Sequence, residues 1–244
     1  ICAVLRFGIA ETISANLRVP LDRLHLTFKD RSSLLGGDNM TKAFLKNSYV
    51  LNSVDNTRDY YRDWAASYDE EITENGYQTP KRCAEALARH QDDKSVRILD
   101  IGCGTGLSGM AFRAEGFNNL HGNDLSQEML DVAVTRSIYQ SLSLADLNNP
   151  LDFDTGAYDV IAAVGVISVG HAPPSTIAQM FDKLTQGGLF VFSINDASIA
   201  DGAFVPAVEQ LLTDENALLC EAHYGEHLPK IDMKSTVYVI KKTA

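Results

Sequence analysis

The chain has 244 residues, of which 45% are hydrophobic, and its formal net charge is −11 at pH 7. This length and apolar content suit one domain with a substantial core and leave too little chain for two full domains. No apolar run approaches the roughly 20 residues of a membrane-spanning helix, so we expect a soluble protein that does not span a membrane. The acidic balance opposes binding to nucleic-acid phosphates, so we expect no nucleic-acid partner.

Residues 1–39 differ in charge from the rest of the chain. They hold five basic and four acidic residues, whereas residues 40–244 hold 16 basic and 28 acidic ones. The chain begins at Ile1, and Gly36-Gly37-Asp38-Asn39, whose codons can spell a ribosome-binding sequence, directly precedes the first methionine, Met40. We therefore expect residues 1–39 to be a non-native leader or a disordered extension, and residues 40–244 to form one domain. A targeting peptide is the weaker alternative, because acidic residues interrupt the segment.

Residues 40–92 are predicted to form a helical cap before the core at 93–244. Aromatic residues in 58–68 recur at the spacing of one helical face, namely Tyr60 or Tyr61, Trp64 and Tyr68. Thr79-Pro80 predicts the start of a second helix that runs to His90, since proline is tolerated in the first turn.

The segment Ile98-Leu99-Asp100-Ile101-Gly102-Cys103-Gly104-Thr105-Gly106 joins a short apolar run to a glycine loop. The apolar run suits a buried parallel strand, and alternate glycines let the backbone approach a ligand closely. A dinucleotide fingerprint would place its last glycine where Leu107 stands, and a P-loop would need a lysine followed by Ser or Thr. The loop therefore predicts a ligand with an adenosine end and little phosphate.

An acidic residue ends the next predicted strand. Asp124 lies 22 positions after Gly102, close to the roughly 20 that separate such a loop from a ribose-binding carboxylate. Asp124 could instead cap the helix that follows, but Ser126 fills that position more naturally. We therefore interpret Asp124 as a ribose ligand.

Two further segments follow predicted strands. Asp146, in Ala145-Asp146-Leu147, precedes Asn-Asn-Pro and could either bind the ligand or stabilise a turn. His171 follows the strand near 158–164 and is the candidate general base, because its ordinary pKa lies near neutrality. The competing interpretation of His171 is a loop residue that caps the next helix.

The remaining pattern alternates strands and helices. Helices are predicted near 106–115, 126–138, 174–185 and 204–213, and strands near 96–101, 119–123, 142–145, 158–164, 188–194, 217–223 and 235–241. Such alternation predicts a three-layer, Rossmann-like α/β domain with a seven-stranded, mostly parallel sheet and helices on both faces. Residues 225–231, between the last two predicted strands, are too short for a convincing helix and contain Pro229.

These motifs resemble a known enzyme family. D-I-G-C-G-T-G at residues 100–106 resembles motif I of the class I S-adenosylmethionine-dependent methyltransferases. Together with W-A-A-S-Y-D-E-E, G-Y-Q-T-P and V-G-V-I-S-V-G-H-A-P-P, it resembles the methyltransferase-like proteins of the Williams–Beuren syndrome region and their bacterial relatives, over about residues 58–195. The resemblance implies S-adenosylmethionine as the cofactor, a helix folded over it and an antiparallel last strand.

The resemblance also implies a site. Asp146 and Leu147 would contact adenine, Gly165 would line the reaction site, and Trp64 and Tyr68 would wall the donor unless they only pack the helix. The full implied cofactor-binding set is Trp64, Tyr68, Asp100, Gly102, Cys103, Gly104, Thr105, Gly106, Asp124, Leu125, Met129, Asp146, Leu147, Val164 and Gly165, with Cys103 as a small filler and no metal ligand.

We therefore expect methyl transfer to a small-molecule acceptor, less readily to a protein, by a monomer or homodimer. Gly165-Val166-Ile167-Ser168 stands where nucleic-acid amino-methylating enzymes carry an Asn-Pro-Pro-Tyr type motif. Four scattered cysteines without a C-x-x-C pair predict neither zinc nor disulfides and suit a reducing cytoplasm. The alternatives are a catalytically inactive S-adenosylmethionine-binding regulator and a nicotinamide-dependent oxidoreductase.

Overall fold

The computed structural model describes residues 54–147, 149 and 151–243. The expected leader at 1–39 and the first part of the expected cap, 40–53, lie outside the described residues. Within the described part, no helix combines the length and the apolar character that crossing a membrane requires.

A seven-stranded sheet forms the centre of the molecule, in the order β3-β2-β1-β4-β5-β7-β6. Its strands are β1 Ile98–Ile101, β2 Leu120–Asp124, β3 Tyr139–Leu144, β4 Val160–Ala163, β5 Leu189–Asn195, β6 Ala217–Leu228 and β7 Met233–Lys242. Strands β1 to β5 pair in parallel, and β7 runs antiparallel to both β5 and β6. The predicted mostly parallel sheet with an antiparallel last strand is confirmed.

Eight α-helices are described around this sheet. They are α1 Val54–Trp64, α2 Tyr68–Glu74, α3 Thr79–His90, α4 Leu107–Ala114, α5 Gln127–Thr135, α6 Thr176–Lys183, α7 Asp196–Asp201 and α8 Phe204–Leu211. Apolar side chains of α3 and α4 pack on one face of the sheet and those of α6 and α8 on the other. The strands serve both layers because alternate residues point to opposite faces, as Leu189 and Phe190 do.

Three predicted elements need correction. The single helix expected over 58–68 is two helices, because the Ser67 N–H bonds to the Trp64 carbonyl oxygen at 3.0 Å and closes a tight turn between them. Helix α7 was not expected; the Asn195 side chain caps it by accepting from the Ser198 N–H at 3.0 Å. The expected connector at 225–231 is mostly strand, since β6 stays paired with β7 as far as Leu228 and only the short 3-10 helix Pro229–Ile231 joins them.

The strand order places a crevice beside β1. The chain leaves β1 toward β2 and β3 on one side and returns to β4 on the other. Loops that follow β1 and β4 therefore diverge at the carboxyl edge of the sheet, where ligands bind in folds of this type. The topology thus locates a candidate site before any side chain is considered.

Candidate functional site

A cavity of about 450 Å³ opens at this carboxyl edge. Its walls come from the loops after β1 to β4 and from the helical cap, and its lining is Arg58, Tyr61, Tyr68, Tyr77, Gly102, Gly104, Asn123, Asp124, Leu125, Ser126, Met129, Ala145, Asp146, Leu147, Val164, Gly165, Val166, Gly170, His171 and Ala172. This volume suits a nucleoside-sized ligand, since small-molecule sites occupy roughly 300–1,000 Å³.

The structure brings most of the predicted site residues together on these walls. They are Tyr68, Gly102, Gly104, Asp124, Leu125, Met129, Asp146, Leu147, Val164, Gly165 and His171. Residues from the cap helix α2, from α5 and from the loops after β1, β2, β3 and β4 therefore meet around one space, although their individual contacts with a ligand remain predictions.

Backbone geometry shapes the two ends of the cavity differently. Gly104 has a φ of +55°, and a Cβ placed there would meet no atom within 4 Å, so its backbone faces open space. At Gly165 a Cβ would lie 2.3 Å from the hydroxyl oxygen of Tyr77. The loop after β1 therefore leaves room for a ligand, whereas the loop after β4 is covered closely by the cap.

Asp124 is held by backbone hydrogen bonds at the end of β2. The N–H of Gly104 donates to its Oδ2 at 2.8 Å, and the N–H of Ser126 donates to its Oδ1 at 3.0 Å. The Ser126 hydroxyl accepts from the Met129 N–H at 3.3 Å and is the N-cap of α5. Burial raises the pKa of the Asp124 carboxyl. The carboxylate thus lines the cavity in a fixed orientation while another residue performs the capping.

Asp100 lies beneath the loop and does not line the cavity. Its Oδ2 accepts from the hydroxyls of Ser108 at 2.6 Å and Tyr139 at 2.7 Å. Its Oδ1 is buried without a hydrogen-bond partner among the described residues. Burial raises the pKa of Asp100 to about 6. The structure therefore places Asp100 where it supports α4 and β3 behind the ligand space.

Four more predicted residues also stand behind the lining. Trp64 is 1% exposed and packs against Tyr68, with ring centroids 4.7 Å apart. Cys103 is buried, which suits the filler interpretation, and burial raises its thiol pKa far above the ordinary value. Gly106 precedes α4, and the Thr105 hydroxyl donates to Asp69 Oδ1 at 2.5 Å. Their direct contact with a ligand stays a prediction.

The position of Asp146 is compatible with both of its proposed roles. Its carboxylate lines the cavity, and its Oδ2 accepts from the Asn149 side-chain amide at 3.1 Å. The turn interpretation and the ligand interpretation therefore describe the same residue, and neither displaces the other.

Sequence reasoning missed part of the lining. The additional residues are Arg58, Tyr61, Tyr77, Asn123, Ser126, Ala145, Val166, Gly170 and Ala172. Most of them adjoin predicted residues in the same loops, and Tyr77 stands in the G-Y-Q-T-P segment. For Arg58 the sequence carries no signal beyond its place in the aromatic helix.

An ion pair ties the cap to the glycine loop. Asp69, in α2, pairs with Arg136 and also accepts from the Thr105 hydroxyl. The Arg136 Nε donates to the Thr105 carbonyl oxygen at 2.5 Å. The cap is thus connected to the loop after β1 and to the end of α5 through one charged cluster.

His171 contacts the cap from the opposite wall. Its Nε2 lies 2.6 Å from the Tyr61 hydroxyl, and its Nδ1 lies 3.1 Å from the Val169 carbonyl oxygen and 2.9 Å from the Ser168 hydroxyl. Burial lowers the pKa of His171 to about 4, so the ring is neutral at pH 7. His227 is buried and bonds to Thr79 outside the cavity, and burial lowers its pKa to about 3.

Comparison with known proteins gives a consistent match. A family model described as a methyltransferase domain matches residues 73–235, more than half of the chain. Human methyltransferase-like protein 27 is 37% identical over 124 residues, covering 50% of this chain and 51% of that protein. A probable 18S rRNA (guanine-N(7))-methyltransferase of Dictyostelium discoideum is 31% identical over 119 residues, covering 44% and 41%. The chain thus spans about half the length of these relatives or less.

Solved structures share the fold at low identity. Magnesium protoporphyrin IX methyltransferase from Synechocystis PCC 6803, solved with bound SAH, has a TM-score of 0.58 and 14% identity, with 78% of this chain and 100% of that chain covered. A methyltransferase solved in complex with the Haloferax volcanii Trm112 activator has a TM-score of 0.55 and 16% identity, with 77% and 97% covered. These likenesses confirm the Rossmann-like architecture.

Proposed function

Because this chain belongs to the class I S-adenosylmethionine-dependent methyltransferase family, we propose that it transfers a methyl group from S-adenosylmethionine to a small-molecule acceptor. One observation carries the proposal most directly. The Asp124 carboxylate is fixed on the cavity wall by the N–H of Gly104, at the carboxyl end of β2. A nucleoside ribose presents two hydroxyls that such a carboxylate can accept.

The cavity residues fit the parts of this cofactor. Gly104 leaves open space beside the loop, so a ligand can approach the backbone there. We assign Asp124 to the ribose, and Asp146 and Leu147 to adenine. Gly165 and His171 line the cavity beyond β4, which we assign to the reacting end.

Methyl transfer asks mainly for alignment. The cofactor supplies a methyl group already activated on a sulfonium. The protein contributes a closed pocket in which acceptor and methyl carbon are held in line and water is kept out. We assign that cover to the cap residues Tyr61, Tyr68 and Tyr77, which line the cavity.

The acceptor is the finer part of the proposal. The charged side chains among the described lining are Arg58, Asp124 and Asp146, and the chain as a whole carries a net charge of −11. A surface built for RNA would need several cations facing phosphates. These charges favour a small acceptor, whereas relatives named as 18S rRNA methyltransferases make RNA the second candidate.

Turnover of the labelled cofactor separates these possibilities. The protein is incubated with methyl-labelled S-adenosylmethionine and either a small-molecule fraction of cell extract or an 18S rRNA transcript, and S-adenosylhomocysteine is measured. We expect product with the small-molecule fraction and none with the transcript. Labelled rRNA would support the second candidate instead. Cofactor binding without product in either arm would support the inactive regulator.

Asp124→Asn is the variant that we expect to form no product in this assay, because it removes the Asp124 charge from the cavity wall. Asp131→Asn is its matched control, since Asp131 is an exposed acid on α5 that does not line the cavity. Loss of product in the first variant alone ties turnover to the cavity. Equal turnover in both variants would contradict the proposed site.

A further inference from the structure

The Tyr61 hydroxyl and the His171 ring form a hydrogen-bonded pair on the cavity wall. Tyr61 Oη lies 2.6 Å from His171 Nε2, and both residues line the cavity. The pair joins α1 of the cap to the loop after β4, so it spans the end that we assign to the reaction. Its direction of donation decides what the Tyr61 oxygen offers to a ligand.

The other ring nitrogen fixes that direction. His171 Nδ1 lies 3.1 Å from the Val169 carbonyl oxygen, which can only accept a hydrogen bond. The Ser168 hydroxyl, 2.9 Å from the same nitrogen, can accept as well as donate. Nδ1 therefore carries the proton, and the neutral ring keeps its lone pair on Nε2. Tyr61 then donates its proton to His171.

Charge supports the neutral ring. Burial lowers the pKa of His171, so protonation does not compete with this arrangement at pH 7. The titratable groups that share the cavity with it are Arg58, Tyr61, Tyr68, Tyr77, Asp124 and Asp146. The acids among them lie at the end of β2 and in the loop after β3, whereas Tyr61 approaches the ring from the cap.

Because the Tyr61 hydroxyl donates its proton to His171, Tyr61 can distinguish between acceptor molecules. Its O–H points to His171, so the oxygen can offer only a lone pair to an acceptor molecule in the cavity. A nucleophile that carries a proton can donate to that oxygen. A nucleophile that has only a lone pair, such as a pyridine-type or purine nitrogen, would face another lone pair. Tyr61, Tyr68 and Tyr77 also give this region aromatic walls.

We propose that Tyr61, positioned by His171, selects small aromatic acceptors whose nucleophilic atom bears a proton, as a phenolic hydroxyl does. This rests on the proposed methyl transfer. The acceptor oxygen bonds to the methyl carbon while the carbon–sulfur bond breaks and its electron pair stays on sulfur. The acceptor proton passes to Tyr61 as the Tyr61 proton passes to His171 Nε2. Positive charge thus moves from the sulfonium to the imidazolium, which returns its proton to water.

Two ring probes of similar size test this selection. Phenol donates a hydrogen bond and pyridine accepts one, and both are neutral at pH 7.5. Their affinities are measured by NMR titration of the full chain saturated with S-adenosylhomocysteine. We expect phenol to bind at least about ten-fold more tightly than pyridine, the size of one hydrogen bond. Equal affinities, a preference for pyridine, or no phenol binding would overturn the proposal.

Variants test whether the preference for phenol over pyridine arises from the Tyr61 hydroxyl. Tyr61→Phe keeps the ring and removes the oxygen, so the ratio of the two affinities should fall to about one. Tyr60→Phe is the matched control, because Tyr60 packs against Trp64 and does not line the cavity; it should leave the ratio unchanged. His171→Phe frees the Tyr61 proton for donation and should shift the ratio toward pyridine. If that variant does not fold, Tyr61→Phe decides alone.

Binding of S-adenosylhomocysteine is measured in the same samples by calorimetry. Absence of that binding in the unmodified chain would remove the proposed function itself. Binding without the phenol preference would remove only the role of Tyr61. Nitrogen chemical shifts of the His171 ring give an independent readout, and a proton on Nε2 in place of Nδ1 would contradict the pair as described.

Discussion

The two walls of the cavity are built by different kinds of interaction. The loop wall, after β1 and β2, is held by backbone groups, as when the Gly104 N–H donates to Asp124 at 2.8 Å. The cap wall, from α1 and α2, is held by side chains, as when Tyr61 bonds to His171 at 2.6 Å. Backbone bonds within adjacent loops fix a local shape. Side-chain contacts between distant segments can instead change with the ligand that the wall must receive.

The largest effect is expected from emptying the core of the cap wall. Trp64→Ala removes an indole that is 1% exposed and packs against Tyr61 and Tyr68. We expect the free energy of unfolding to fall by about 3–5 kcal/mol, as for other buried aromatic truncations. Urea unfolding measures it. A loss under about 1 kcal/mol would mean that the aromatic cluster contributes little to holding the cap.

On the loop wall, the largest effect should be on binding. Asp124→Ala removes the carboxylate that we assign to two ribose hydroxyls, and charge-assisted hydrogen bonds contribute about 1.5–3 kcal/mol each. We expect S-adenosylhomocysteine to bind about 100-fold more weakly or worse by calorimetry. Asp131→Ala, on the exposed side of α5, should retain full affinity. Unchanged affinity in Asp124→Ala would contradict the ribose assignment.

A pH-dependent difference should appear behind the loop wall. Asp100 has a pKa of about 6 in the folded chain, against about 3.9 unfolded. Protonation therefore favours folding, and the stability that it adds is present below the unfolded pKa and lost as pH rises through 6. Relative to Asp100→Asn, the unmodified chain should gain up to about 1.4 kcal/mol per pH unit as pH falls from 6 toward 4.

Urea unfolding of both proteins at several pH values measures this slope. The contributions of the buried groups His171 and His227 to the pH dependence cancel in this comparison, because both proteins contain these histidines. Their pKa values are lowered by burial, so their stabilising contribution is lost as pH falls below about 6.5 and opposes that of Asp100. Parallel curves for the two proteins would show that Asp100 does not titrate in this range.

The smallest effect concerns the connection between the walls. Asp69→Asn weakens the pairing of α2 with Arg136 while retaining an acceptor for the Thr105 hydroxyl. Because Asp69 is partly exposed, we expect a loss of only about 1 kcal/mol in stability. Asp63→Asn, on the exposed end of α1, is the control. Hydrogen exchange should then rise in α1 and α2 and stay constant in the loop after β1. An equal rise of exchange in both walls would show that Asp69 does not act mainly on the cap wall.

The same division explains what the sequence could predict. The loop wall follows from local pattern, because Gly102, Gly104 and Asp124 stand at strand ends that parallel pairing brings to one edge. The seven-stranded sheet was predicted for the same reason. Ser126 could also be assigned as the cap of α5, since capping depends on neighbouring residues only.

The cap wall depends on contacts that local pattern does not contain. Tyr61 meets His171 across 110 positions of the chain, and Tyr77, between α2 and α3, lies against Gly165 in the loop after β4. The aromatic spacing of 58–68 predicted one buried face but not the turn that divides it. In the structure, Trp64 is buried behind the cavity lining, whereas Tyr61 and Tyr68 are part of that lining.

Calorimetric titration of the chain with S-adenosylmethionine tests the central claim most directly, with NADH as the parallel ligand. We predict saturable one-to-one binding of S-adenosylmethionine, competed by S-adenosylhomocysteine, and no binding of NADH. Thermal unfolding in the same buffers should show a higher midpoint temperature with the methyl donor. A ligand at 100 times its dissociation constant adds about 2.7 kcal/mol to the free energy of unfolding. Binding of NADH without binding of S-adenosylmethionine would contradict the account.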